Sequence, residues 1–214
     1  MTVPQQNVFS QKGITLIEVV IYSALLFTIA TLCYQFYQLN IRTYTIEKIK
    51  AELFLDLKLA ITMMTKDIRL CGCDPLKSGH TGFINESDHN DRYDTDTNSI
   101  HLSADLVYPW DGKINDTNEE VMYFLYPQAR GLYKLGRCTR HSRRPQPVAE
   151  NILSLAFQYY DLSGNIMPDP PLPLKSIGSV DISITAQSVQ PNPITGRMDK
   201  LSLKTRVWVR NSFL

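Results

Sequence analysis

The chain has 214 residues, 22 of them Lys or Arg and 21 Asp or Glu. That balance removes the electrostatic reason to expect a nucleic-acid binder or a polyanion partner. The four histidines, His80, His89, His101 and His141, form no HExxH or other close metal set, and neither a GxSxG elbow nor a phosphate-binding glycine loop occurs, so nothing points to an enzyme or a cofactor.

Residues 1–13, MTVPQQNVFSQKG, are polar and carry Lys12 as their only charged side chain. A long apolar run follows, uncharged from Val19 to Tyr34, with Glu18 the sole acid before Arg42. With Ile14 to Ile17 added, the run approaches the roughly 20 residues that cross a bilayer. The segment after it, YQFYQLNIRTY, lacks the small-x-small site of a secretory signal, so the run is expected to stay in the product as an anchor. Glu18 is then the puzzle, because a carboxylate in hydrocarbon needs a partner or must be neutral. A free amine at Ile14 is such a partner only if the chain is cut after Gly13. The two groups would meet within one chain or between neighbouring subunits. A carboxylate snorkelling at the interface is the alternative.

The stretch KGITLIE, Lys12 to Glu18, closely resembles the processing motif of type IV prepilins and the related pseudopilins of secretion systems. The resemblance implies that a prepilin peptidase cuts after Gly13 and methylates the new N-terminus at Ile14. Lys12 is the basic residue beside the cut. Thr15, Leu16 and Ile17 match the next motif positions, and Glu18 matches the acid that takes part in assembly. It also implies an orientation: a single pass through the bacterial inner membrane, with the domain in the periplasm and, after assembly, in a pilus at the cell surface.

No Gly or Pro interrupts residues 14–70, so a single helix is expected, about 85 Å long at 1.5 Å per residue. Residues 14–41 form its membrane or fibre-core half. Beyond them Ile46, Ile49, Leu53, Leu57, Ala60, Met64 and Ile68 recur every three or four positions, one stripe that predicts packing on a folded domain. Cys71-Gly72-Cys73-Asp74-Pro75 stops the helix. Residues 42–214 thus combine the amphipathic half-helix with an outward-facing β-rich domain.

Residues 76–98 read as a polar loop, in which Asp88, Asp91, Asp94 and Asp96 offer oxygen ligands for calcium but lack the EF-hand pattern. Alternating runs then predict half-buried antiparallel strands. These are Ile100–Leu106, a hairpin turning through Pro127 to Gly131, a strand with Leu153, Leu155, Phe157 and Tyr159 on one face, another with Val180, Ile182 and Ile184, and a last with Leu201, Leu203, Val207 and Val209 inward and Trp208 outward. The expected fold class is α+β, a long N-terminal helix packed on an antiparallel sheet. Pilin subunits resemble this arrangement, and LAITMMTKDIRLCGCDP and AENILSLAFQYYDLSGN more narrowly resemble PilW-like minor pilins and the GspJ-type minor pseudopilins. The implied partners are other major and minor pilins or pseudopilins, the peptidase, and an inner-membrane assembly platform.

Two side-chain groups remain. In an oxidising compartment Cys138 is a candidate to bridge Cys71 or Cys73, which lie too close together for an easy mutual bond; zinc lacks a convincing fourth ligand. Arg137, Arg140, Arg143 and Arg144 form a basic patch that would contact phosphates on a DNA-uptake fibre, or be a solvated loop between strands. The sequence therefore points to a minor type IV pilin. Its rivals are a minor type II secretion pseudopilin, a DNA-uptake pilus component, and a non-polymerising membrane-anchored binding module.

Overall fold

A computed structural model describes residues 13–85, 94–140 and 142–211 of the chain, with the side chain of Arg143 outside that set. The uninterrupted stretch forms one α-helix, α1 (Leu16–Leu70, 55 residues). Its termination is local chemistry. Gly72 takes a left-handed φ of 76° and its N–H turns away to the Ser103 carbonyl, while the Asn211 side-chain amide reaches the carbonyls of Arg69, Leu70 and Cys71 at 3.3–3.5 Å. By internal packing the chain divides into two units, Met1–Ile46 and Glu47–Leu214, and α1 runs through the division.

In the second unit seven strands make an antiparallel meander, each hydrogen-bonded to the next in sequence. They are β1 (Gly82–Phe83), β2 (Ile100–Ser103), β3 (Glu120–Pro127), β4 (Tyr133–Thr139), β5 (Ser142–Asp161), β6 (Ile177–Pro191) and β7 (Met198–Trp208). One face of the sheet receives α1. Leu57, Ala60, Met64 and Ile68 are fully buried, with Leu53 and Ile61 beside them, against Tyr123, Leu135, Ile152, Phe157, Tyr159, Ile182 and Ile184. Each such aliphatic side chain contributes on the order of 2 kcal/mol by leaving water, so the stripe fixes which face of the helix meets the sheet. The other face is mostly polar and carries a small second cluster of Met122, Phe124 and Cys138.

Two strands differ from expectation. β5 starts well before the expected run from Leu153 to Tyr159, at Ser142, and crosses Pro145 and Pro147. Prolines are tolerated there because this first half pairs with β4 alone, through irregular register. Gly136 opposite them is required by close approach, since a Cβ would sit 2.9 Å from that of Pro145. Farther on, a bulge between Ile152 and Ser154 shifts the phase. Ile152 is therefore fully buried, and Leu153, expected inward, is not in the core. The short β1 was also read as loop.

The helix end is tied to the sheet by polar contacts. Asp67 Oδ2 accepts from the Tyr123 hydroxyl at 2.7 Å and from Arg137 Nε at 3.1 Å, and Arg137 also donates to Asn118 Oδ1 at 3.0 Å. The loop between β2 and β3 is organised by a buried acid, Glu119, whose two oxygens collect the N–H groups of Leu106, Val107, Asn115 and Asp116 at 2.9–3.1 Å. These donors hold its carboxyl below the usual range against the opposing cost of burial.

Candidate processing and assembly site

Gly13, Ile14 and Thr15 precede the helix and are exposed, as are the side chains of Leu16, Ile17 and Glu18 in its first turn. Lys12 lies outside the described residues. Gly13 is not demanded by anything around it: a Cβ there would meet no heavy atom within 4 Å, and its φ is not in the left-handed region. Ile14 is 74% exposed, so the Gly13–Ile14 bond lies open in a non-helical stretch.

Thr15 is the N-cap of α1. Its N–H and hydroxyl both donate to Glu18 Oε2, at 2.8 and 2.9 Å, and the Glu18 N–H returns to Thr15 Oγ1 at 3.4 Å. This is a reciprocal capping box, the S/T-x-x-E arrangement that satisfies two otherwise orphaned donors at a helix start. The carboxylate also faces the positive end of the helix dipole. The uncut chain thus supplies Glu18 with a partner of its own. The T-L-I-E spacing carries that signal in plain sight, and the reading from sequence credited Glu18 with an amine partner alone.

Behind the cap the helix is long and apolar enough to cross a membrane: mean hydropathy reaches 2.2 over an 18-residue window, none of it buried. Its hydroxyls return to their own helix, Ser23 to the Val20 carbonyl, Thr28 to that of Ala24 and Thr31 to that of Phe27, all at 2.8–2.9 Å. No polar group of these three is left to hydrocarbon unpaired, which is what a lipid-facing helix requires.

The other candidates are not brought together. Cys71 and Cys73 are free thiols, so neither expected bridge to Cys138 is formed. For Cys71 the reason is placement: it belongs to the helix-side core, and Cys138 is paired opposite Met122 on the other face of the sheet. Burial pushes the Cys71 thiol up to about 12, which makes it inert as a nucleophile. The basic patch dissolves in the same way. Arg137 is taken up by Asp67, Tyr123 and Asn118, and Arg140 donates to the Ile114 carbonyl at 2.7 Å and to Glu120 Oε2 at 3.3 Å. Arg140 and Arg144 are exposed. Of the acidic loop, Asp88 and Asp91 lie outside the described residues, and Asp96 Oδ1 is occupied by the N–H groups of Asn98 and Ser99 and the Ser99 hydroxyl. Among the described residues no group of three or more His, Cys, Asp or Glu side chains is placed to hold a metal ion.

Comparison with models of protein families finds none that matches the chain, and comparison with curated proteins finds no relative. The architecture itself is pilin-like: a long N-terminal helix whose second half packs on an antiparallel, unclosed sheet.

Proposed function

We propose that this chain is a minor type IV pilin, made as a prepilin, cut after Gly13, methylated at Ile14 and held in the inner membrane by its apolar half-helix until it helps to start a pilus or enters one. The observation that carries this reading is the coincidence at one point of three features. KGITLIE stands where the helix begins, the Gly13–Ile14 bond is exposed and unwound, and the helix behind it is apolar with the hydroxyls of Ser23, Thr28 and Thr31 bonded to its own carbonyls. Among the described residues nothing lies within 4 Å of a Cβ placed at Gly13, which supports a role for this glycine in recognition by a processing enzyme rather than in packing.

Glu18 then has successive tasks. Before the cut it closes the capping box, which starts the helix beyond Ile14 and leaves the bond accessible. Afterwards the ammonium of Ile14 lies next to Thr15 and competes for the same carboxylate. That charge is also available to a neighbouring subunit, and pairing across subunits sets axial register as helices leave the bilayer and stack. With Lys12 removed the remaining 21 basic side chains equal the 21 acidic ones, so the processed subunit brings little net repulsion to a fibre.

The test is mass spectrometry of the N-terminal peptide from sheared surface fibres and from membranes of the same cells. A methylated peptide beginning at Ile14 in the fibre fraction is the expected result. The same peptide confined to membranes would favour a pseudopilin of a secretion complex, and an intact Met1 leader in both fractions would overturn the assignment.

A further inference from the structure

One cavity in the second unit, about 320 Å³, is used by nothing described so far. It lies beside β1, at the end of the unit where α1 terminates. Its lining includes Thr81, Gly82 and Phe83 of the β1 segment, no residue of β2, and Leu174 and Lys175 of a short 3-10 turn (Leu174–Ser176) that packs beside β1, so it opens between that turn and the side of β1 that has no strand neighbour. The pairing pattern says what β1 offers there. Gly82 exchanges both its N–H and its carbonyl with the Ser103 side chain, and the Ile84 N–H donates to the His101 carbonyl. In an antiparallel ladder alternate residues bond to one neighbour, so the N–H and carbonyl of Phe83 face the open edge.

Charge adds a second, independent feature. Lys77, His80 and Lys175 stand around this cavity, with Asp74 the only carboxylate among its lining residues. Asp74 keeps its charge, with Oδ2 accepting from the Ser78 hydroxyl and the Gly79 N–H and with Oδ1 buried without a hydrogen-bond partner among the described residues, so two lysines stand against one carboxylate. Ile177 and Val209 supply an apolar floor. A short edge strand with outward backbone groups, an apolar floor and a cationic rim are the components of strand addition with selection for acidic side chains.

We propose that this cavity receives an extended, acidic segment of another polypeptide, which adds a strand to the open edge of β1 and sets its carboxylates among Lys77, His80 and Lys175. Backbone bonds to Phe83 give the register, and the rim gives the preference for acid. The proposal does not depend on the processing of the N-terminus.

The test uses the full chain in detergent micelles with the peptide acetyl-Val-Glu-Val-Glu-Val-amide as probe. Its lysine counterpart, a version N-methylated at alternate amides, and free glutarate serve as comparisons. At low salt the glutamate peptide is expected to bind and shift the Phe83 amide resonance, and the lysine peptide to bind at least about tenfold more weakly. The N-methylated peptide is expected to lose binding while keeping its charge. Lys77→Glu with Lys175→Glu, both at exposed positions, should reverse the preference between the two peptides. Competition by glutarate as effective as that of the peptide would overturn strand addition in favour of a plain anion site. Equal binding of both peptides, or an unmoved Phe83 resonance, would overturn the proposal altogether.

Discussion

The Thr15–Glu18 pair shows how one carboxylate can be tolerated at the start of an apolar helix. Replacing Thr15 with Ala removes a hydroxyl donor and the acceptor for the Glu18 N–H, at a cost of about 1 kcal/mol in helix-start stability. Faster hydrogen exchange at the amides of the first turn, in micelles, is the expected result; unchanged exchange would mean that the box does not hold the helix start. Asp67 makes a comparable case inside the domain. It is largely buried against Arg137 and Tyr123, so Asp67→Asn leaves a partly buried guanidinium without its counter-charge and should cost about 2–3 kcal/mol in urea unfolding. A double variant that also replaces Arg137 by Gln should recover part of the loss. In the sequence the acid is one step of a resemblance, and Arg137 belongs to a basic patch that reads as either a DNA contact or a solvated loop. Their partnership spans 70 positions, and no local pattern reveals which distant charge a side chain will meet.

At the scale of elements, periodicity was the dependable signal and the exceptions are all places where it breaks. The stripe from Leu53 to Ile68 and the alternation of β6 are buried as the spacing predicts, and in β7 Val207 and Val209 are buried while Leu201 and Leu203 are partly so. The bulge at Leu153 is invisible to a period of two, because it exists to change the phase. It predicts an unequal pair of variants: Ile152→Ala should cost about 3 kcal/mol and Leu153→Ala well under half of that, read from denaturation midpoints. Equal costs would mean that the strand runs through in register. Between β6 and β7, Asp181 accepts from Arg206 at 2.6 and 3.0 Å and from Lys204 at 3.2 Å. The Arg206 bonds, with Lys204 behind them, hold its folded pKa down to about 2 against the cost of burial, below the roughly 3.9 of an unfolded Asp. The contribution of this group is therefore complete above about pH 4 and is lost as pH falls toward 2. Asp181→Asn should flatten that part of the acid limb of the stability curve while leaving the neutral region less stable.

For the molecule as a whole, the sequence made legible both a helix apolar enough to cross a membrane and the sheet that packs on its second half, since composition changes sharply along one helix. Alkaline extraction of membranes should leave the chain in the lipid fraction, and release by carbonate would remove the anchor from the account. What the sequence could not show was how the two borders of the sheet differ. The far border is the long strand β7, whose helix-free side carries Lys200, Lys204 and Arg206 among its alternate residues. Charged side chains on an edge strand discourage an incoming strand even where, as with Lys204 and Arg206, they are paired with Asp181 on the neighbouring strand. The near border is two residues of β1 beside a cavity. Under the assembly proposed above, such a domain is directional: its near flank offers a short backbone edge beside a cavity, and its far flank a long strand lined with basic side chains.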